Sequence, residues 1–118
     1  MRPVIQTTAV MEMHQVRYFL AIYEEGNFTR AAKRCGVKQP SLTRAIQRLE
    51  TEFGAPLFIR TRKGASLSHL GRLVRTDFLQ IEASAARAQA TAKLAFQQWK
   101  MPVGGGVTPF GNYEPQDR

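Results

Sequence analysis

The sequence is short of several things, and each shortage excludes a class of protein. Cysteine occurs once, at Cys35. No intramolecular disulfide can form, so the chain is not a disulfide-stapled secreted scaffold. Two distant histidines, His14 and His69, with that one thiol cannot build a structural zinc site within the chain, and no metal or other cofactor is expected. No apolar run approaches the roughly 20 residues that span a bilayer. Arg2 is not followed by the apolar stretch of a signal peptide, so no membrane partner is expected. Acidic residues are scarce, 9 against 17 Lys and Arg, which gives a net charge of +8 in 118 residues. That imbalance fits a polyanion, either nucleic acid or an anionic membrane surface, and carries no sequence preference of its own. No nucleophile–base pair or paired acid cluster is visible, so the chain does not read as an enzyme.

What is present is organised. A chain of this length can form one small domain and one long helix, with a marginal core that dimerisation would strengthen. Residues 1–12 show no periodicity and read as a flexible leader. From Gln15, apolar residues at Val16, Phe19, Leu20 and Tyr23 form an amphipathic helical stripe. Gly26 ends that helix, and Asn27 offers an N-cap for the next. Phe28, Ala31 and Ala32 supply the inner face of the second helix, where the small alanines permit close crossing. Gly36 stops it, and Cys35 beside it reads as a small packed residue. The third helix starts near Lys38 or Gln39, tolerates Pro40 in its first turn and ends at Gly54.

At about 100° per residue, Leu42, Ile46, Leu49 and Phe53 cluster in one arc of the third helix. Pro40, Arg44, Gln47 and Thr51 fall on the opposite side, flanked by Thr43 and Arg48. Residues 56–68 then read as a short β-hairpin, a wing, with Arg62, Lys63 and Gly64 at its basic tip. Ser68 caps a long helix to about residue 100, roughly 45 Å over some thirty residues. Within it Val74, Phe78, Ile81, Ala85, Ala88, Ala92 and Ala95 repeat at spacings of four and three, a heptad seam suited to a second helix. Residues 101–118 are rich in glycine and proline and read as a disordered tail. The expected organisation is a domain over residues 13–68, a dimerisation helix over 69–100, and the two flanking segments.

The exposed face of the third helix has the chemistry of a reader of double-stranded DNA. Arginine donates twice to guanine, and glutamine pairs in donor–acceptor mode with adenine. Arg44 and Gln47 project outward, with Gln39 and Pro40 at the N-terminal turn that usually contacts bases. Free backbone N–H groups of that turn, with Ser41, are phosphate donors. Thr29, Arg30 and Lys33 near the second helix are further phosphate candidates, and Arg62 and Lys63 reach the minor groove or its phosphates. Arg48 is ambiguous, because Glu52 lies four residues on and can pair with it.

The segments Tyr18-Phe19-Leu20-Ala21, Glu24 to Ala32, Gln39 to Ile46, Leu49-Glu50 and Gly54 to Phe58 resemble the N-terminal domain of LysR-type transcriptional regulators. The resemblance covers about residues 11–98. It implies a mainly α fold: a winged helix-turn-helix with a two-stranded wing and a long C-terminal linker helix that pairs antiparallel in a homodimer. It implies base contacts from Gln39, Pro40, Thr43 and Arg44, with Gln47 added by the wheel, and backbone or minor-groove contacts from the wing. It also implies a bacterial cytoplasmic, nucleoid-associated regulator. Lys38 departs from the pattern, standing where the family usually has a Ser or Thr cap; that sets a cation at the positive helix end, where it can hold a phosphate. The family's inducer-binding domain has no counterpart in the sequence, so no small-molecule effector is expected on this chain. Two other functions stay open at this point: mixed dimers with a full-length relative through the long helix, or a fragment with no separate role.

Overall fold

The computed structural model describes residues 10–100. Of the leader expected over residues 1–12 only the last three are described, and the tail expected over residues 101–118 lies outside the described residues. The elements run α1 (Met13–Glu25), α2 (Phe28–Cys35), α3 (Gln39–Phe53), β1 (Phe58–Thr61), β2 (Gly64–Leu67) and α4 (His69–Lys100). The chain divides into two units inside α4, Met1–Glu82 and Ala83–Arg118.

In the first unit, α1 begins two residues before Gln15, because the Glu12 carbonyl accepts from the N–H groups of Gln15 and Val16 at 3.0 and 3.3 Å. Gln15 is a polar residue buried to 5% exposure, and its amide is used at both ends. Its Oε1 accepts from the Glu12 N–H at 2.7 Å, and its Nε2 donates to the Ala45 carbonyl at 3.3 Å, which ties α1 to α3. Asn27 caps α2 as its sequence position predicts, its Oδ1 accepting from the Arg30 N–H at 2.7 Å. Gly36 then reverses the chain with φ +72°, a left-handed conformation that L side chains rarely adopt. The Val37 N–H returns to the Ala32 carbonyl at 3.0 Å, and α3 starts two residues later.

Leu42, Ile46 and Leu49 of α3 are buried and Phe53 is half-buried against the core, as the wheel predicts. The hairpin closes through the two-residue turn Arg62-Lys63, with Phe58 opposite Leu67 and Thr61 opposite Gly64. The Ala65 N–H donates to the Gly26 carbonyl at 2.9 Å, so β2 is docked on the corner between α1 and α2.

Ser68 joins the hairpin to α4. Its hydroxyl donates to the Pro56 carbonyl at 2.6 Å and accepts from the Gly71 N–H at 3.0 Å. Gly71 passes so close to Leu57 that a Cβ there would overlap the Leu57 carbonyl oxygen. Phe78 departs from the seam expected of it: it is 3% exposed, with its ring 4.7 Å from Phe19 in an edge-on contact. Val74 and Ile81 are half-buried against the same core. The apolar spacing in this part of α4 therefore serves the chain's own interior.

In the second unit, the described residues 83–100 are helical. Ala88 and Ala92 are exposed, and Ala85 and Ala95 are half-exposed. Leu94, Phe96 and Trp99 are large apolar residues with 60%, 48% and 42% exposure. No helix among the described residues is long and apolar enough to cross a membrane.

Two stability predictions follow from the packing of α4. Gly71→Ala ought to stabilise an ordinary helix interior, yet here the added Cβ meets backbone, so a loss of about 1–3 kcal/mol is expected in urea denaturation. A neutral or stabilising result would mean that α4 does not approach Leu57. Phe78→Ala should cost about 3–5 kcal/mol in the same measurement at fixed protein concentration. A loss that disappears on dilution would instead assign the ring to a contact between copies.

Candidate nucleic-acid interface

The helix-turn-helix corner and the hairpin present the expected site residues on three elements. On α3, Pro40, Ser41, Arg44, Gln47 and Arg48 are exposed, while Gln39 and Thr43 are half-buried. None of these side chains belongs to the hydrophobic core, because Leu42, Ala45, Ile46 and Leu49 occupy the inward face of the helix. Lys38 is the N-cap of α3 and makes no side-chain cap bond. The first turn offers fewer backbone donors than the sequence suggests. Ser41 and Leu42 both donate to the Lys38 carbonyl, at 3.0 and 3.2 Å, and Pro40 has no N–H. The Gln39 N–H and the Ser41 hydroxyl are what that turn has to give an anion.

The expected phosphate contacts on α2 divide. Thr29 and Lys33 are exposed. Arg30 is turned back onto the end of α1: its Nη2 donates to the Glu25 carbonyl at 2.9 Å and its Nε lies 3.6 Å from the Glu25 carboxylate. Arg34 is similarly engaged, 2.6 Å from Glu24 and 3.3 Å from Glu25. These pairs gather at the α1–α2 corner. Among the described residues, no ion pair engages Lys33, Lys38, Arg44, Arg48, Arg62 or Lys63. Arg48 is thereby not held by Glu52. Cations outside any ion pair thus line the outer part of α2, α3 and the wing, where a polyanion would gain from them, and others, Arg17, Arg72, Arg75, Arg87 and Lys93, lie on α1 and α4.

Two small grooves link these elements. One of about 210 Å³ brings Thr29, Gln39, Arg60, Thr61 and Arg62 together, so the start of α2, the start of α3 and the wing share one wall. The other, of about 110 Å³, is lined by Thr43, Gln47, Glu50 and Arg60 among others. Arg60 lines both, and sequence reasoning passed it over. Its guanidinium carbon sits 3.7 Å from the centroid of the Phe28 ring, and its Nη2 reaches the Thr43 hydroxyl oxygen at 3.5 Å. The available signal was strand alternation. Arg60 is two residues from buried Phe58 and therefore on the inward face of β1, an unusual place for a charge.

A larger cleft of about 470 Å³, lined by His14, Arg17, Tyr18, Cys35, Leu79 and Glu82 among others, takes no residue from α3 or the wing. Burial pushes the Cys35 thiol up, partly offset by the positive charges of Arg34 and Arg17. The thiol stays protonated and packs as a small apolar group.

The geometry has known counterparts. The family described as bacterial regulatory helix-turn-helix protein, lysR family, matches residues 13–72. The chain is 42% identical over 87 residues to the HTH-type transcriptional regulator TfdT of Cupriavidus pinatubonensis (strain JMP 134 / LMG 1197), covering 70% of this chain and 38% of TfdT. It is 36% identical over 106 residues to the HTH-type transcriptional regulator BudR of Klebsiella aerogenes, covering 90% of this chain and 74% of that one. Among solved structures, the CbnR DBD–DNA complex aligns with TM-score 0.67 and 38% identity, covering 72% of this chain and 98% of that one. The full-length CbnR complexed with its target DNA aligns with TM-score 0.66 at 38% identity, covering 72% of this chain and 30% of that one. The chain therefore spans the DNA-binding region of these regulators, a winged helix-turn-helix, and only 38% of the length of TfdT. By the family match over more than half of its length and by its likeness to BudR, this chain belongs to the LysR family of bacterial helix-turn-helix regulators.

Proposed function

We propose that this chain regulates transcription by reading operator DNA as a homodimer. The observation that carries the reading is the outer face of α3: Pro40, Arg44 and Gln47 exposed beside Gln39 and Thr43, on a helix whose other side is core. Placed in a major groove, Arg44 donates to guanine, Gln47 and Gln39 pair with adenine or bridge to it, and Pro40 and the Thr43 methyl contact thymine methyls. Thr29, Lys33, Lys38, Ser41 and Arg48 hold phosphates on either side. Arg30 joins them only by exchanging its contact with Glu25 for one with DNA. Arg62 and Lys63, at the tip of a two-residue turn, enter the minor groove or grip its edges.

The second copy is taken by α4. The exposed alanines Ala88 and Ala92, with Ala85 and Ala95, permit close approach of a partner helix, and the exposed Leu73, Leu94, Phe96 and Trp99 gain from being covered. Val74, Phe78 and Ile81 contribute by shaping the base of α4, since their side chains pack on the domain itself. The relatives' description as bacterial regulators supports the bacterial cytoplasm, on the nucleoid, as the place of action.

Arg44→Ala should weaken binding to the preferred site by about 1–3 kcal/mol and relax the preference at one base pair, read by fluorescence anisotropy on a panel of single-base variants. Equal affinity of parent and variant for every sequence would remove Arg44 from the reading face. Replacing Ala88 and Ala92 together by Glu is expected to shift the mass measured by light scattering from dimer to monomer, with loss of the two-half-site footprint. A parent chain that is already monomeric when bound to DNA would overturn the pairing.

A further inference from the structure

Arg60 has surroundings unlike those of the other exposed cations. It lies on β1 opposite Ala65, whose N–H is bonded to the Gly26 carbonyl at 2.9 Å. That bond sets the hairpin against the corner from which α2 starts, so the Arg60 head comes to rest over the Phe28 ring, 3.7 Å from its centroid. Phe28 is itself only 9% exposed and is braced edge-on by Phe58 at 5.7 Å. A guanidinium on an aromatic face is held by the ring quadrupole and by stacking of its planar body. The head of a long side chain is thereby confined to one place. From that place its Nη2 points a proton at Thr43 Oγ1, 3.5 Å away.

The consequence is chemical. A threonine hydroxyl has one proton and two lone pairs and rotates to suit its surroundings, so alone it can donate to a base or accept from one. A guanidinium only donates. Facing Arg60, the Thr43 oxygen turns one lone pair inward; its proton and second lone pair remain, and accepting from a cation polarises the O–H toward donation. We infer that Arg60 is a specificity-setting positioning residue: by donating to one lone pair of the Thr43 hydroxyl it biases that hydroxyl toward outward donation, so that Thr43 favours bases with a major-groove acceptor and disfavours cytosine, whose edge offers only its amino donor. Thymine is the best match, because its O4 accepts the proton while its C5-methyl meets the Thr43 methyl; the purines come second, through guanine O6 and N7 or adenine N7. The inference rests on the DNA-reading role proposed above for α3.

The test is selection from a random double-stranded DNA pool, run in parallel with the parent chain and four variants. Thr43→Val identifies the position concerned, as the one whose preference flattens when the hydroxyl is removed. At that position the parent is expected to enrich thymine, then the purines, and to deplete cytosine. Arg60→Met keeps an apolar stem on Phe28 without a donor, and Arg60→Gln supplies a group that can accept as well as donate. Both should admit cytosine there, reducing the discrimination against it by about threefold to tenfold, while preferences at other positions persist. Arg60→Lys, which only donates, should retain the preference. If Arg60→Met fails to melt cooperatively, Arg60→Gln decides. Uniform weakening across all sequences, with the Thr43 position unchanged, would make Arg60 a phosphate contact and overturn the inference alone. A parent that enriches no common sequence would overturn the reading role of α3 and this inference with it.

Discussion

The ring of Phe19, on α1, sits 5.0 Å from Phe58 at the start of β1 and 4.7 Å from Phe78 on α4; Phe58 in turn lies 5.7 Å from Phe28 at the start of α2. Four aromatic side chains thus connect α1, the wing, α2 and α4. Each contact is modest in itself, about 0.5–1.5 kcal/mol beyond the area buried. Their joint effect is geometric. The first unit has few buried residues, and a small core tolerates little repacking before its elements lose their mutual angles. The position of Arg60 above Phe28 depends on the same cluster, since Phe58 braces the ring that carries it.

The three short helices were legible in the sequence because local chemistry decides them. Gly26, Gly36 and Gly54 all adopt left-handed conformations at helix ends, and Asn27 caps α2 with its own side chain. The outer face of α3 was legible for the same reason, since one helical wheel settles which residues cannot be core. Two features were not. Phe78 carries the same heptad spacing whether it meets a partner helix or its own domain, and periodicity along α4 does not say what lies opposite. Arg60 owes its place to the bond between Ala65 and Gly26, residues nearly forty positions apart. The first turn of α3 also has fewer free N–H groups than a generic helix start, because Ser41 closes a tight turn onto Lys38.

Charge is distributed as deliberately as apolar surface. Glu24 and Glu25 neutralise Arg30 and Arg34 at the α1–α2 corner. Exposed pairs of this kind add little to stability. What they do is remove positive charge from the α1–α2 corner, while Arg44 and Arg48 on α3 and Arg62 and Lys63 on the wing stay outside any ion pair, next to the groups proposed to read bases. Glu25 also holds the Arg30 side chain against the end of α1.

The division of α3 into an inward face that holds the fold and a face exposed at Pro40, Arg44 and Gln47 has an evolutionary consequence. Arg44, Gln47 and Pro40 are exposed and can be exchanged at little cost in stability, so with the base-reading role proposed for them the preferred operator can drift while the scaffold stays as it is. Thr43 is the exception, because it is tethered through Arg60 to a core ring. Related proteins that diverge in their targets should therefore vary freely at the first three positions and change Thr43 and Arg60 together.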